Sequence, residues 1–383
     1  RTTMLIKFNE EQTMIRDMVR EFTKNEVEPR DYYMDQNDAF DRELYAKFNE
    51  LGLGGVLVPE EYGGMGSDYV TSTIIVHELA KGSASFALAV EISHVAAEMI
   101  TNWGTEEQKK AYLPRVANGD LFAFGLTEAS AGSDAAGIRS VAVKNEDGTW
   151  TLNGGKSWIT NSGEADVYLI LAKTNPEAGA KGISAFIIPK ETPGLVIAKH
   201  EKKMGMRGSS TCALSFDNIQ LPADALLGPE GIGFKIAMSV LDGGRISCAA
   251  IATALSQHAM DIAKKYANER ITFGKPIAKH QGVMFKFGDM SALISAMELM
   301  TYEAAFQKAS GQRSTLIAAQ AKLFAAINCT QICLECLQVL GGNGYSQDFH
   351  VERLVRDAKL LEIGEGTNEV LRMVIGGTVL ASN

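Results

Sequence analysis

A chain of 383 residues, 46% hydrophobic and 22% charged, has the make-up of a folded globular protein with interior for two or three domains. Its formal net charge of −9, with no run of basic residues, excludes nucleic acid and anionic membrane as general partners, because both are held by clustered Lys and Arg. No apolar stretch approaches the roughly 20 residues that span a bilayer, and the opening R-T-T-M-L-I-K-F-N has no signal-peptide core, so the expected location is the cytoplasm of a bacterium or, for a matured chain, an organelle.

The first 120 residues read as helical. Asn9 followed by Glu10, Glu11 and Gln12 resembles a capping box. The stripe Met14, Ile15, Met18, Val19 and Phe22 predicts a helix that stops at Pro29. A second helix over 42–51 puts Leu44, Phe48 and Leu51 on one face. P-E-E-Y-G-G-M-G over 59–66 is a loop by its glycines, and helical patterning resumes at Tyr69. Thr105-Glu106-Glu107-Gln108 opens a further helix as a capping box. Residues 1–120 are thus expected to form an N-terminal bundle of five or six helices.

Near residue 121 the period changes to alternation. Short runs rich in β-branched and aromatic residues at 150–153, 156–160, 167–174, 183–189, 195–199 and 212–216 predict strands, and Asn153-Gly154-Gly155 is a hairpin signal. The middle part, 121–230, is expected to be an antiparallel β-barrel or sandwich. Long helices return over 233–270, 281–310, 314–340 and 367–380. They predict a C-terminal four-helix bundle over 231–383, with one face available to another subunit. The fold class is α+β.

Several chemistries are excluded by pattern. Gly231-Ile232-Gly233 follows a turn and lacks a βαβ setting, and there is no P-loop. Six histidines form no H-E-x-x-H, and no G-x-S-x-G occurs. Cys329, Cys333 and Cys336 fall on one helical face and read as core thiols; no metal site is expected. Five cysteines in all fit a reducing compartment.

Three stretches stand out. F-A-F-G-L-T-E-A-S-A-G-S-D at 122–134 and K-S-W-I-T-N at 156–161 combine glycines, hydroxyls and an indole, which a flat heteroaromatic ring with polar edges needs. Near the end, Gly364-Glu365-Gly366 offers a carboxylate between two residues free to take positive φ or approach a ligand. Thr367 reads as the N-cap of a helix carrying Val370, Leu371, Val374 and Ile375. The carboxylate therefore sits beside a helix start with free N–H groups.

In order, E-E-Y-G-G-M-G, T-E-A-S-A-G-S-D, K-S-W-I-T-N, R-x-T-F-G-K-P-I-x-x-x-Q, Q-V-L-G-G-N-G-Y and R-D-A-K-x-x-x-I-G-E-G-T-N-E cover nearly the whole chain. The series resembles the acyl-CoA dehydrogenase family, most of all its short-chain, butyryl-CoA type. The resemblance implies FAD in each subunit of a homotetramer built as a dimer of dimers. It implies FAD contacts at Phe124, Leu126, Thr127, Gly132, Ser133, Trp158, Ile159, Thr160, Thr367 and Glu369. It implies others, reaching the neighbouring subunit's FAD, at Arg270, Thr272, Phe273, His280, Gln281, Gln338, Gly341 and Gly342. Ser133, Asp242, Arg245 and Gly366 match the family's CoA-thioester positions, and Glu365 matches its catalytic base. The implied reaction takes the thioester α-proton onto Glu365 and the β-hydrogen as hydride to flavin N5. Electrons are exchanged with an electron-transferring flavoprotein, and the reverse enoyl-CoA reduction is equally open. Burial would raise the Glu365 pKa and the helix start would lower it.

Departures bear on the substrate. Most members carry Tyr where this chain has Gly364, and the missing ring opens the acyl pocket to branched or aryl groups. Isovaleryl-type relatives take their base from the position of Gly244, which here has no side chain, leaving Glu365. Ala129 replaces a usual Pro. Glu91, on a helix that in this family lines the end of the acyl tunnel, is expected either to make that end polar or to be an ordinary helix acid. Alternatives to a short-chain dehydrogenase are a reductase of bulkier enoyl-CoA in an anaerobe and an acyl-CoA oxidase. The oxidase is disfavoured by chain length. The superfamily's DNA-binding branch is disfavoured by the lack of a basic tail.

Overall fold

The computed structural model describes residues 6–381. Six α-helices come first: α1 (Glu10–Phe22), α2 (Glu28–Asn37), α3 (Arg42–Glu50), α4 (Tyr69–Gly82), α5 (Ala84–Trp103) and α6 (Glu106–Ala117). Asn9 and Thr105 both make their capping boxes, with Gln12 and Gln108 returning the bond. The first helix does not stop at Pro29, however. One π turn, Thr23–Val27, joins α1 to α2, and Pro29 lies in the first turn of α2, where a missing N–H forfeits no helical bond. α4 and α5 are buried along almost their whole length.

The middle sheet comprises β1 (Phe122–Gly125), β2 (Val141–Lys144), β3 (Trp150–Thr160), β4 (Val167–Lys173), β5 (Ile183–Pro189), β6 (Leu195–His200), β7 (Thr211–Leu221) and β8 (Leu226–Leu227). Its order is β6-β7-β3-β2-β4-β5-β8, with β1 also on β4. The antiparallel expectation needs correcting, because the sheet is mixed. β1 runs parallel to β4 from Phe122 beside Val167 to Gly125 beside Ile170, and β2 meets β4 in parallel at one residue pair. A parallel neighbour needs a long crossover, and here the crossover contains β2 and β3 themselves. Asn153-Gly154-Gly155 is no hairpin turn either. It lies inside β3, where a bulge between Leu152 and Gly154 takes up the irregularity against β7.

The last part is helical: α7 (Gly233–Glu269), a small hairpin of β9 (Ile271–Thr272) and β10 (Lys275–Pro276), α8 (Gln281–Ala309), α9 (Thr315–Leu340), α10 (Val351–Leu361) and α11 (Asn368–Ala381). α7 is the central strut, packed against α4, α5, α8, α9 and α10. All five cysteines are buried and free, those of α9 within this core.

The expectation that no segment is long and apolar enough to span a bilayer also fails. α5, α7 and the segment Thr315–Tyr345 meet that test by length and composition alone. α5 and α7 are apolar all round because they serve a protein interior. The relevant window is 94% buried in α5 and 78% in α7, but only 39% in the third segment.

Three parts of the chain are clamped where the R-D-A-K motif begins. Arg353 pairs with Asp31 of α2 at 2.7 Å, Arg356 pairs with Asp35 at 2.8 Å, and Asp357 accepts from the Met206 N–H ahead of β7 at 2.5 Å. These buried contacts fix α10, and α10 delivers the Gly-Glu-Gly turn.

Candidate active site

The turn is a strained piece of backbone held at both ends. Gly364 N–H donates to the Leu360 carbonyl at 2.8 Å, Asn368 N–H to the Glu362 carbonyl at 3.1 Å, and Val370 N–H to Thr367 Oγ1 at 3.3 Å, so Thr367 caps α11. Between these bonds Glu365 takes φ 54° and Gly366 φ 89°. Of the two flanking glycines only Gly366 takes a positive φ. A non-glycine residue in the left-handed region costs about 1–2 kcal/mol, so neighbours must hold Glu365 in place. Two side chains of α9 do part of this. Lys322 Nζ donates to the Gly366 carbonyl at 2.7 Å, and Thr330 Oγ1 donates to Glu362 Oε1 at 2.7 Å.

The Glu365 side chain reaches the first turns of α7. A Cβ on Gly244 would lie 2.5 Å from Glu365 Oε2 and 3.4 Å from Glu91 Oε1, so two carboxyls converge on the same glycine. Glu91 is 2% exposed, and its Oε1 has no hydrogen-bond partner among the described residues. Burial raises the Glu365 pKa, with the charges of Lys322 and then Arg245 opposing it. Burial and then the adjacent Glu365 and Glu98 push Glu91 well above the usual carboxylate range. Farther along α5, the Tyr69 hydroxyl donates to Glu98, whose other oxygen lies 3.4 Å from Lys308 Nζ. Gly243 gives the Tyr69 hydroxyl its room, since a Cβ there would approach it to 2.5 Å.

Asp242 and Arg245 stand on either side of these glycines and pair with each other at 3.2 Å. Thr315 Oγ1 donates to Asp242 Oδ2 at 2.7 Å, and Arg245 Nε is left without a partner among the described residues. Arg245 is buried.

The two β-domain stretches also meet. Asn161 Nδ2 donates to the carbonyls of Ala89 on α5 and Phe122 on β1 at 2.8 and 3.0 Å, tying the end of β3 to both. Ser157 N–H donates to the Thr127 carbonyl at 3.0 Å. A second bulge lies between Lys156 and Ile159, buries Ile159, and leaves Trp158 at φ 60° with 60% of its surface exposed. The loop carrying Gly132 and Ser133 is anchored by Glu128, which accepts from Arg139 and Ser140 N–H and from Lys156 Nζ at 2.6–3.0 Å. Burial works against that carboxylate, yet the bonds hold its pKa below the ordinary value. Phe124 and Leu126 pack half-buried beside it, and Thr160 closes β3. An exposed indole, threonine hydroxyls and an open glycine loop fit the edge and face of an isoalloxazine.

A second set is brought together elsewhere. Arg270, Thr272, Gly341 and Gly342 line a groove of about 410 Å³ with Tyr266 and Asn343. His280 Nε2 lies 3.3 Å from Thr272 Oγ1, Phe273 is almost fully exposed, and Gln281 and Gln338 are exposed nearby on α8 and α9. Arg270 follows the C-terminal end of α7 whereas Asp242 lies near its start, so helical rise separates them by roughly 40 Å. One chain does not unite this set with the Glu365 site. Glu369 lies on the exposed face of α11, paired with Arg372 at 3.3 Å.

Family models for the N-terminal, middle and C-terminal domains of acyl-CoA dehydrogenase match residues 9–120, 123–219 and 231–380. The chain belongs to the acyl-CoA dehydrogenase family. It is an oxidoreductase of that family, and its cofactor is FAD. It is 41% identical over 372 residues to an acryloyl-CoA reductase (NADH) of Anaerotignum propionicum, covering 97% of this chain and 94% of that one. The solved butyryl-CoA dehydrogenase of Megasphaera elsdenii is 41% identical with a TM-score of 0.96, covering 98% of this chain and 100% of that one. A chain from a structure of the electron transferring flavoprotein of Acidaminococcus fermentans is also 41% identical, with a TM-score of 0.97 and coverage of 99% and 100%.

Sequence reasoning misses Lys322, Gly243, Glu128 and Asn161. Only Glu128 and Asn161 carried a signal, as members of motifs singled out for their neighbours.

Proposed function

We propose that this enzyme dehydrogenates a short acyl-CoA thioester to the trans-2-enoyl-CoA, or reduces the enoyl-CoA, exchanging electrons with an electron-transferring flavoprotein. Glu365 takes the α-proton, the β-hydrogen departs as hydride, and the α,β double bond forms from the electrons left behind. FAD, when bound against Trp158, Thr127 and the Gly132–Ser133 loop, supplies the hydride acceptor. The Glu365 N–H donates to the thioester carbonyl as enolate character develops. Ser133, Asp242, Arg245 and Gly366 hold the thioester, and Arg270, Thr272, Phe273, His280, Gln281, Gln338, Gly341 and Gly342 serve the FAD of a neighbouring subunit in a tetramer. The observation that carries the reading is the Glu365 carboxylate, fixed by a strained turn and given room by Gly244. The butyryl-CoA, acryloyl-CoA and flavoprotein relatives support it.

A second reading is favoured by Gly364. A Cβ there meets nothing closer than 3.6 Å, so crowding at Cβ does not demand the glycine that stands where most of the family carries tyrosine. That space suits a branched or aryl 2-enoyl group.

The test is an anaerobic panel of acyl-CoA and enoyl-CoA thioesters added to the holoenzyme, following flavin absorbance, with Glu365→Gln beside it. Bleaching of oxidised flavin by butyryl-CoA, abolished in the variant, is the expected result. A flavin that responds to no thioester sinks the proposal, and preference for aryl or branched compounds selects the second reading. Oxygen consumption in the same samples separates an oxidase from a dehydrogenase.

A further inference from the structure

We infer that Lys322 of α9 is the positioning residue of the base: it holds the Gly366 carbonyl, fixing Glu365 in its left-handed conformation over Gly244, and presents to that carboxylate an ammonium unclaimed by another acid. The inference rests on Glu365 being the base.

Lys322 is completely buried in an alanine-rich stretch with Ala318, Ala321, Ala325 and Ala326. An ammonium is costly to place there, and a methionine would fill the same volume without that cost. Its single hydrogen bond among the described residues, 2.7 Å to the Gly366 carbonyl, engages the residue that follows Glu365. Among the described residues it has no carboxylate within ion-pair distance. The groups that face it are Cys248 and Arg245 of α7 and Glu362 and Glu365 of the turn. Three of these do not claim it. Burial pushes the Cys248 thiol up to about 12, leaving it uncharged, and Arg245 is a cation already paired with Asp242. Glu362 is engaged by Thr330 Oγ1 and Asn368 Nδ2 and lies 3.2 Å from Lys359 Nζ. Glu365 remains, faced from the other sides by Arg245 of α7 and Glu91 of α5.

Thr330 provides the control. It ties the same turn to the same helix through Glu362 but carries no charge. If Lys322 were only a strap, removing either side chain would have the same kind of effect.

The experiment measures single-turnover flavin bleaching by butyryl-CoA against pH in the wild-type holoenzyme and in Lys322→Met, Lys322→Arg and Thr330→Val. In Lys322→Met the pH of half-maximal rate is expected to rise by about one unit or more, with a limiting rate at least roughly tenfold lower and the half-saturating butyryl-CoA concentration little changed. Lys322→Arg should restore the wild-type pH profile. Thr330→Val should lower the melting temperature and leave the profile where it was. An unshifted profile in Lys322→Met, or an equal shift in Thr330→Val, overturns the inference. If the Met variant does not fold, Lys322→Gln replaces it. If neither neutral variant folds, the Arg variant decides, a wild-type profile upholding the inference and a displaced one overturning it. A wild type that responds to no thioester sinks the reaction instead, which an active wild type with an unshifted Met variant does not.

Discussion

Two glutamates converge on Gly244 from different supports. Glu91 stands on a regular turn of α5, with an oxygen unpartnered among the described residues and two acids, Glu365 and Glu98, for neighbours. Glu365 stands on a left-handed residue between glycines, with Lys322 and Arg245 facing it. Burial raises both pKa values, so burial alone does not tell the base from its neighbour. The counter-charges do, because they favour the ionised form of only one of the pair. Two carboxyls facing one glycine titrate as a unit, and the charges of Lys322 and Arg245 bias the ionised form toward Glu365.

The largest expected effect comes from breaking the pair at the base itself. Glu365→Gln keeps size and loses basicity, and flavin bleaching should slow by about 10² to 10⁴. Next is the glycine between them. Gly244→Ala would set a methyl 2.5 Å from Glu365 Oε2, so the carboxylate must swing away. A misplacement near 1 Å costs about 10² in rate. Single-turnover kinetics should show that loss, while the visible flavin spectrum stays unchanged because the β-domain loops are untouched.

Glu91→Gln tests the neighbour without moving the base. Held protonated, Glu91 puts no charge on Glu365, so the pH at which the rate rises should stay at the wild-type value. Stability follows from the sign of the Glu91 shift. Its folded-state pKa is raised, so its contribution is fully present below the ordinary carboxylate value and is lost as pH rises through the folded value. The variant's melting temperature relative to wild type should therefore be higher at pH 8 than at pH 5. An equal difference at both values would mean that Glu91 is not held protonated.

How much of this was visible in the chain of letters depends on how local each signal is. The capping boxes at Asn9 and Thr105 and the extents of α7, α8 and α9 are written within a few residues of themselves. The parallel β1–β4 pair and the bulges of β3 are properties of partner strands, so Asn153-Gly154-Gly155 resembled a turn. Pro29 read as a stop because a proline in a first helical turn looks the same as one after a last turn. Glu365 was legible through its glycines and the motif around it, and Glu91 only through the family resemblance. Lys322 was not legible. A single lysine in an alanine-rich helix reads as its solvent side, and its acceptor lies 44 residues away. Glycine by type weakens a helix, and only the structure shows that Tyr69 and Glu365 occupy the space beside Gly243 and Gly244.

The smallest effect sharpens the contrast between the glycines that flank the base. Gly366 is at φ 89°, a conformation that an L side chain resists, whereas Gly364 is outside that region and a Cβ on it meets Leu360 O at an ordinary 3.6 Å. Gly364→Ala should therefore stabilise the protein by about 0.4–1 kcal/mol, because the substitution restricts the unfolded chain without straining the folded one. Gly366→Ala should change stability in the opposite direction by about 1–2 kcal/mol. Denaturant melts of the two variants would check both signs. A destabilised Gly364→Ala would mean that the residue before the base also needs glycine's freedom, and that the missing tyrosine is a demand of the turn and not an enlargement of the pocket.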